Sequence, residues 1–388
     1  MSHHYSHITS AIKILKTAKQ GEPLAHHLKK IFAADKKFGS KDRKSISSLC
    51  YNFYRMGNIF KAKTIDEQII IAHFLCSDKP NTLLHTVAPH YNEKTALTVL
   101  EKFAFLNINP KDIFPFLNEI GEGVDKEKFP LSFLKQPLFY IRLRPTQAEI
   151  VKAKLLKAGI DFTLISNTCI AMPAATKIKN ILAINKEVVV QDYNSQAVFN
   201  NIDQYIVAEK KIIELWDCCA ASGGKSILLY DIFKDRLSLN VSDVRAFMLN
   251  NLRNRFKEVG IKKYNCFEAD LINPAQTFPQ KKYDIIVCDA PCTGSGTWAR
   301  TPEQLAYFEE KNITNFSKMQ QNIASTVIPF LKKDGIFIYI TCSVFKKENE
   351  DIVHYLKEKF HLQVMQMEYY KGYEMQADTM FAAILSFN

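Results

Sequence analysis

The first third of the chain is written in a helical rhythm. Ile8, Ala11, Ile12 and Leu15 fall at i, i+3, i+4 and i+7, and Ile46, Leu49, Cys50 and Phe53 repeat that spacing, so each set lays an apolar stripe along one helical face. Ser40-Lys-Asp-Arg-Lys-Ser, ahead of the second stripe, supplies capping side chains and loads cations at a helix start, where they oppose the dipole. Residues 1–130 are therefore expected to be helical. From 131 to 208 the texture changes. Leu138-Phe-Tyr-Ile-Arg-Leu-Arg144 alternates like a strand, 148–158 reads as a short helix, and Glu187-Val-Val-Val-Gln-Asp192 is a second β-branched run, which together predict a small α/β module. Arg142 and Arg144 project to one side of its first strand, placed to meet phosphate or to face water.

Residues 209–388 alternate strand with helix. Strands are expected at 211–217, 237–243, 283–289 and 335–342, with helices at 245–259 and around 316–331. Such alternation predicts a parallel sheet with helices on both faces, and ligands in such sheets sit beyond the carboxyl ends of the strands.

Composition narrows the class. A chain of 388 residues, 47% hydrophobic and 23% charged, with only 13 Gly and 14 Pro, is globular; disordered, collagen-like and coiled-coil classes are excluded. Met1-Ser-His-His-Tyr-Ser-His carries no basic stretch followed by an apolar one, and no uncharged apolar run approaches the ~18 residues of a membrane span, so a soluble, cytosolic protein is expected. Nine cysteines, five of them at or beside predicted strand ends, suit reduced thiols better than disulfides. The net charge of +11 is lopsided: residues 1–63 hold 13 basic and 3 acidic side chains, whereas residues 211–388 hold 22 and 21. A polycationic front favours a nucleic-acid partner over a uniformly solvated surface.

Three segments carry candidate chemistry. Asp217-Cys-Cys-Ala-Ala-Ser-Gly-Gly-Lys-Ser226 follows a strand and opens a helix; Ala220, Ala221, Gly223 and Gly224 let the backbone approach a ligand, and the helix start offers N–H groups. The order of glycines is not that of a nucleotide-triphosphate loop. Asp243 ends the next strand, where a carboxylate takes a ribose hydroxyl pair, so an adenosine-type ligand fits. Tyr283-Asp-Ile-Ile-Val-Cys-Asp289-Ala-Pro-Cys292-Thr-Gly-Ser-Gly296 and Tyr339-Ile-Thr-Cys342-Ser343 put a carboxylate and two thiols at the ends of adjoining strands. The cysteines lack the paired knuckles of a structural zinc site, and no metal is expected. Thiols, a carboxylate and an adenosyl cofactor are the parts needed to methylate cytosine carbon-5: a thiolate adds to carbon-6 and turns the ring into a carbon nucleophile, while a carboxylate near N3 holds a proton. Chemistry alone leaves open which of the two thiols attacks.

These segments resemble the RNA cytosine carbon-5 methyltransferases of the Sun/Nop group, and most closely the bacterial rRNA branch, RsmB-like. The first is similar to the family's D-x-C-A-A-P-G-G-K-T, the second to D-A-P-C-S-G-x-G, and Thr341-Cys-Ser-Val with Glu348-Asn-Glu350 to T-C-S-V…E-N-E. Arg300-Thr-Pro-Glu303 resembles its R-x-P-[DE], and Val189-Val-Gln-Asp-Tyr-Asn-Ser-Gln196 the stretch before its catalytic domain. The resemblance implies a Rossmann-like class I S-adenosylmethionine-dependent methyltransferase domain at 209–388, an all-helical NusB-like RNA-binding domain at 1–130, and an RNA-recognition-like module at 131–208. It implies cofactor contacts from Cys219, Ala220, Ala221, Ser222, Gly223, Gly224 and Lys225, with Asp243 on the ribose, Asp270 by the adenine, and Asp289 bordering both cofactor and cytosine. Cys342 is implied as the attacking thiolate and Cys292 as the thiol assisting release. Ser222 replaces the family's loop proline and Thr293 a serine, and Ala299-Arg300 stands for the usual double Arg. The expected substrate is a specific cytosine of rRNA, in the small subunit, bound by a monomer with no membrane association. A tRNA substrate, or a non-catalytic ribosome-assembly role, are the alternative readings.

Overall fold

The computed structural model describes residues 3–35, 37–57, 59–206, 210–273 and 281–387. The expected boundary at 208 lies outside these residues. The chain divides into two compact units: residues 1–118, 125–136 and 297–310 form one, and residues 119–124, 137–296 and 311–388 the other.

The first unit is helical. His3–Thr17, Leu24–Ala34, Ser40–Arg55 and Ile65–Leu75 bury Ile8, Ala11, Leu15, Leu28, Phe32, Ile46, Leu49, Cys50 and Ile69 together, which is where the apolar stripes point. The cap of Ser40–Arg55 differs from the expectation. Gly39 takes the capping position and the Asp42 carboxylate accepts its N–H at 2.9 Å, so an anion in the first turn offsets the cations that the sequence crowds there. Arg55 is buried and donates to the carbonyls of Phe133 and Ala299, which makes it an internal pin of this unit.

The second unit holds two sheets. Strands β1 (Phe139–Leu143), β2 (Thr163–Ser166), β3 (Cys169–Met172) and β4 (Val188–Val190) form a four-stranded sheet in the order β2-β3-β1-β4, packed with helix Ala148–Lys157 through Ile141, Val151, Leu155 and Ile170. Arg142 is buried and Arg144 mostly so. Both pair with Asp231, at 2.5 and 3.0 Å, and Arg142 Nε also donates to Gln191. Buried polar groups need partners, and this carboxylate captures both guanidinia.

The larger sheet contains β5 (Ile213–Asp217), β6 (Leu237–Asp243), β7 (Tyr264–Glu268), β8 (Tyr283–Asp289), β9 (Leu331–Thr341), β10 (Leu362–Tyr370) and β11 (Met380–Phe387) in the order β10-β11-β9-β8-β5-β6-β7. Strands β5 to β9 pair in parallel; β11 pairs antiparallel with both β9 and β10. The expected parallel sheet is thus a mixed one, extended by a hairpin. One face packs Leu215, Val241, Ile285 and Ile338 against Ile227, Leu252 and Phe256 of helices Gly224–Phe233 and Ala246–Val259. The alternate residues Trp216, Ile286, Phe337 and Tyr339 are buried on the opposite face, as both-sided burial of a parallel sheet requires. Strand order reverses at β5, whose neighbours are β6 and β8; in such sheets this switch point, beyond the carboxyl ends, is where ligands bind. No helix among the described residues is long and apolar enough to cross a membrane.

Candidate functional site

Four of the five parallel-paired strands end on a carboxylate: Asp217, Asp243, Glu268 and Asp289, with Thr341 at the end of β9. At the switch point the chain turns sharply after β5. Ala221 and Gly223 adopt left-handed backbone, with φ of 48° and 79°, and the turn closes through Gly223 N–H to Ala220 O at 2.8 Å. A side chain at Gly223 would in addition place its Cβ 2.7 Å from the Phe256 ring. Ala220 N–H binds Ser242 O and Ala221 N–H binds the Asp243 carboxylate, both at 2.9 Å, so the loop is tied to the end of β6. Arg255 donates to both Oγ and O of Ser222 at 2.9 Å.

Burial works against charge on Asp243, but the hydrogen bonds and charge of Arg245 outweigh it and hold the carboxyl below its ordinary pKa. Asp217, fully buried beneath the loop, goes the other way: desolvation pushes it to about 7 even though Ser226 donates to it at 2.5 Å. Asp270 follows β7 and accepts from Ile272 N–H at 3.0 Å. At Gly224 a Cβ would meet nothing nearer than the Arg255 guanidinium at 3.9 Å. No protein neighbour demands glycine there, whereas a ligand lying on the loop would, and the first-turn N–H groups behind it suit such a ligand.

Lys225 Nζ sits 2.6 Å from Asp289 Oδ2. Burial disfavours the ammonium, but the adjacent carboxylate more than compensates and raises its pKa. Beyond Asp289 the chain turns back so that the Cys292 and Cys342 sulfurs lie 3.3 Å apart, a hydrogen-bonding separation. Both cysteines are free. The hydrogen bond to Cys342 first, and burial second, push the Cys292 thiol well above its ordinary pKa.

The residues that hold the two sulfurs together carry no role in the reading of the sequence. Glu348 is buried and accepts from Thr293 N–H at 3.0 Å and from Gln320 at 3.3 Å, fixing the residue after Cys292; burial lifts its carboxyl to about 7. Asn349 accepts from Thr341 Oγ1 at 2.6 Å and donates to Ser343 O at 2.8 Å, clamping both neighbours of Cys342. Glu350 accepts from Tyr369 at 2.6 Å. Gly296 N–H reaches Cys342 O at 2.8 Å, and any Cβ there would lie 2.0 Å from Thr379 O. The signal is present as the Glu348-Asn-Glu350 triplet, but only tertiary contacts give it a task.

The parallel register also aligns Asp217 with Val287, which brings Cys288 beside Cys218 and Cys219; the three sulfurs lie within 4.8 Å of one another. Spacing along the chain gives no hint of this group.

A seven-stranded sheet with one antiparallel hairpin strand, a glycine loop after its first strand and a carboxylate after its second define a Rossmann-like methyltransferase fold. Residues 204–384 match the family described as 16S rRNA methyltransferase RsmB/F. A probable ribosomal RNA small subunit methyltransferase B of Bacillus subtilis is 25% identical over 225 residues, covering 57% of this chain and 48% of that protein. The ribosomal RNA small subunit methyltransferase B of Citrobacter koseri is 31% identical over 162 residues, covering 42% and 36%. The chain thus spans half or less of the length of these relatives. Among solved structures, PH0851 superposes with a TM-score of 0.73 at 19% identity over 98% of both chains. A methyltransferase homolog protein from Pyrococcus horikoshii gives 0.59 at 18% identity over 74% of this chain and 98% of that one. At these identities the likeness is one of fold.

Proposed function

We propose that the protein is an S-adenosylmethionine-dependent methyltransferase that methylates carbon-5 of a specific cytosine in rRNA, of the small subunit, through a transient Cys342–cytosine bond. The observation that carries this reading is the pair of sulfurs 3.3 Å apart at the sheet's carboxyl edge, next to the Lys225–Asp289 ion pair.

Residues 219–225 would hold the cofactor along the turn, with Asp243 on its ribose, Asp270 beside its adenine and Asp289 at its reactive end. When bound, the cofactor supplies an electrophilic methyl group. The Cys342 sulfur adds to carbon-6 of the cytosine and forms the S–C bond. The proton that the Cys342 thiol gives up passes to N3, which the Asp289 carboxylate, ion-paired with Lys225, would border and orient. Carbon-5 then carries the electron pair that forms the new C–C bond. The carbon-5 proton then leaves to solvent by way of Cys292, and the N3 proton returns to the departing Cys342 sulfur as the Cys342–C6 bond breaks and the ring is restored.

The target base has to leave its stack, because carbon-6 is shielded inside a helix. Holding the surrounding RNA is the task we assign to the basic 1–130 segment and the 131–208 module, in a monomer working in the cytoplasm. Incubating purified protein and cofactor with rRNA and with tRNA, then mapping bisulfite-resistant cytosines, tests the proposal. A single protected cytosine in rRNA is expected; protection in tRNA alone, or none, overturns it.

A further inference from the structure

The first helix carries three histidines on one face: His3 and His7 are four residues apart, and His4 and His7 three. One ring nitrogen of each lies within 4.8 Å of the others. Asp42, in the first turn of Ser40–Arg55, stands against the group. Its Oδ2 is engaged by Gly39 N–H at 2.9 Å, and its Oδ1 faces His3 Nε2 at 2.9 Å and His7 Nε2 at 3.1 Å.

If both rings donate Nε2–H to that oxygen, Nδ1 is left as a lone pair on each. For His7 that nitrogen is an anomaly: the residue is 95% buried, being 5% exposed, and Nδ1 has no hydrogen-bond partner. Buried polar nitrogens are rarely left so. A carboxylate that accepts from one ring nitrogen while the other is presented elsewhere is the arrangement that orients histidine toward a metal ion and makes it a better ligand.

We propose that His3, His4 and His7 bind a borderline divalent transition-metal ion, Zn2+ in particular, with Asp42 as the positioning residue that orients two of the three rings. Three imidazoles form a recognised zinc ligand set that leaves a fourth position open. Here that position gives onto a cavity of about 760 Å³ whose lining includes Lys41, Lys44, Ser45 and Lys79, so water or an anion would complete the shell. Because the ligands lie on the first helix and the orienting carboxylate on Ser40–Arg55, the ion would fasten these two helices of the basic unit together. This metal site is independent of the methyl-transfer reading.

The test is calorimetric titration of the chelator-treated 388-residue chain with Zn2+, backed by visible spectra after Co2+ substitution and by thermal melts with and without Zn2+. One equivalent, a nitrogen-ligated Co2+ spectrum and a higher melting temperature are expected. Asp42→Asn should weaken binding by roughly 10- to 100-fold and shift the Co2+ spectrum. The exposed ring of His3 makes His3→Ala a variant that folds, and it should weaken binding at least as much; His7→Gln, at a buried site, is read only if its melt is cooperative. Cys218→Ala/Cys288→Ala separates this site from the thiol group and should leave binding unchanged. No binding by the native chain, binding indifferent to His3→Ala and Asp42→Asn, or binding lost in the cysteine variant would each overturn the proposal.

Discussion

The turn after β5 and the turn that presents Cys292 and Cys342 lie at the same carboxyl edge of the sheet but are shaped by different means. The first is made by backbone: two left-handed residues, a tight 2.8 Å closure and N–H groups tied to the end of β6. Its side chains are small and several are dispensable to the shape. The second is made by side chains: Glu348, Asn349, Thr293, Ser295 and Ser343 form a buried hydrogen-bonded net around the two thiols. A backbone-built turn tolerates change at Ser222, whose side chain makes one hydrogen bond to Arg255. A net of buried polar groups tolerates little, because removing one member strands the others without partners.

The sharpest break in that comparison is at the thiols themselves. Cys342→Ala should lower methyl transfer by roughly 10⁴-fold or more, measured as labelled methyl incorporated into rRNA, while leaving the melting temperature near native. Glu348→Ala comes next. It strands Thr293 N–H and the Gln320 amide, and should cost about 1–3 kcal/mol in urea unfolding together with a clear loss of activity. Gly296→Ala should cost a similar ~1–3 kcal/mol by overpacking, since its Cβ meets backbone carbonyls that cannot swing away.

A smaller effect sharpens the electrostatic side. Glu348 and Asp217 are both raised to about 7 by burial, so between the ordinary carboxylate range and pH 7 the folded chain binds more protons than the unfolded one. Their contribution to stability therefore falls as pH rises through that window. Glu348→Gln removes one of the two titrations, and its unfolding midpoint should depend less steeply on pH there. Smallest of all is Ser222→Ala on the backbone-built turn: the Arg255 bond to Ser222 O remains, and the loss should stay under ~1 kcal/mol.

Much of this architecture is legible in the amino-acid sequence. Apolar spacing locates the helices of the first unit, and strand-then-turn patterning puts Asp217, Asp243, Asp289 and Cys342 at or just past strand ends, because both signals are local. What stays hidden depends on contacts distant in sequence. The hairpin β10–β11 reads as ordinary alternating polar and apolar sequence, and only its insertion beside β9 makes the sheet mixed. Arg142 and Arg144 have the pattern of surface cations, and it takes Asp231, some 90 positions on, to supply a buried counter-charge. Residues 297–310 gather with the helical unit, which no composition shift announces. Glu348 and Asn349 stand in a recognisable triplet, yet their hold on the thiols exists only once β8 and β9 lie side by side.

The division of labour between the sulfurs can be read directly from a covalent adduct. With rRNA and methyl donor present, Cys292→Ala should stall after addition and give a slow-migrating, ribonuclease-sensitive protein–RNA band on a denaturing gel, a band that vanishes in Cys292→Ala/Cys342→Ala. A band that persists without Cys342, or appears in Cys342→Ala alone, would contradict the account.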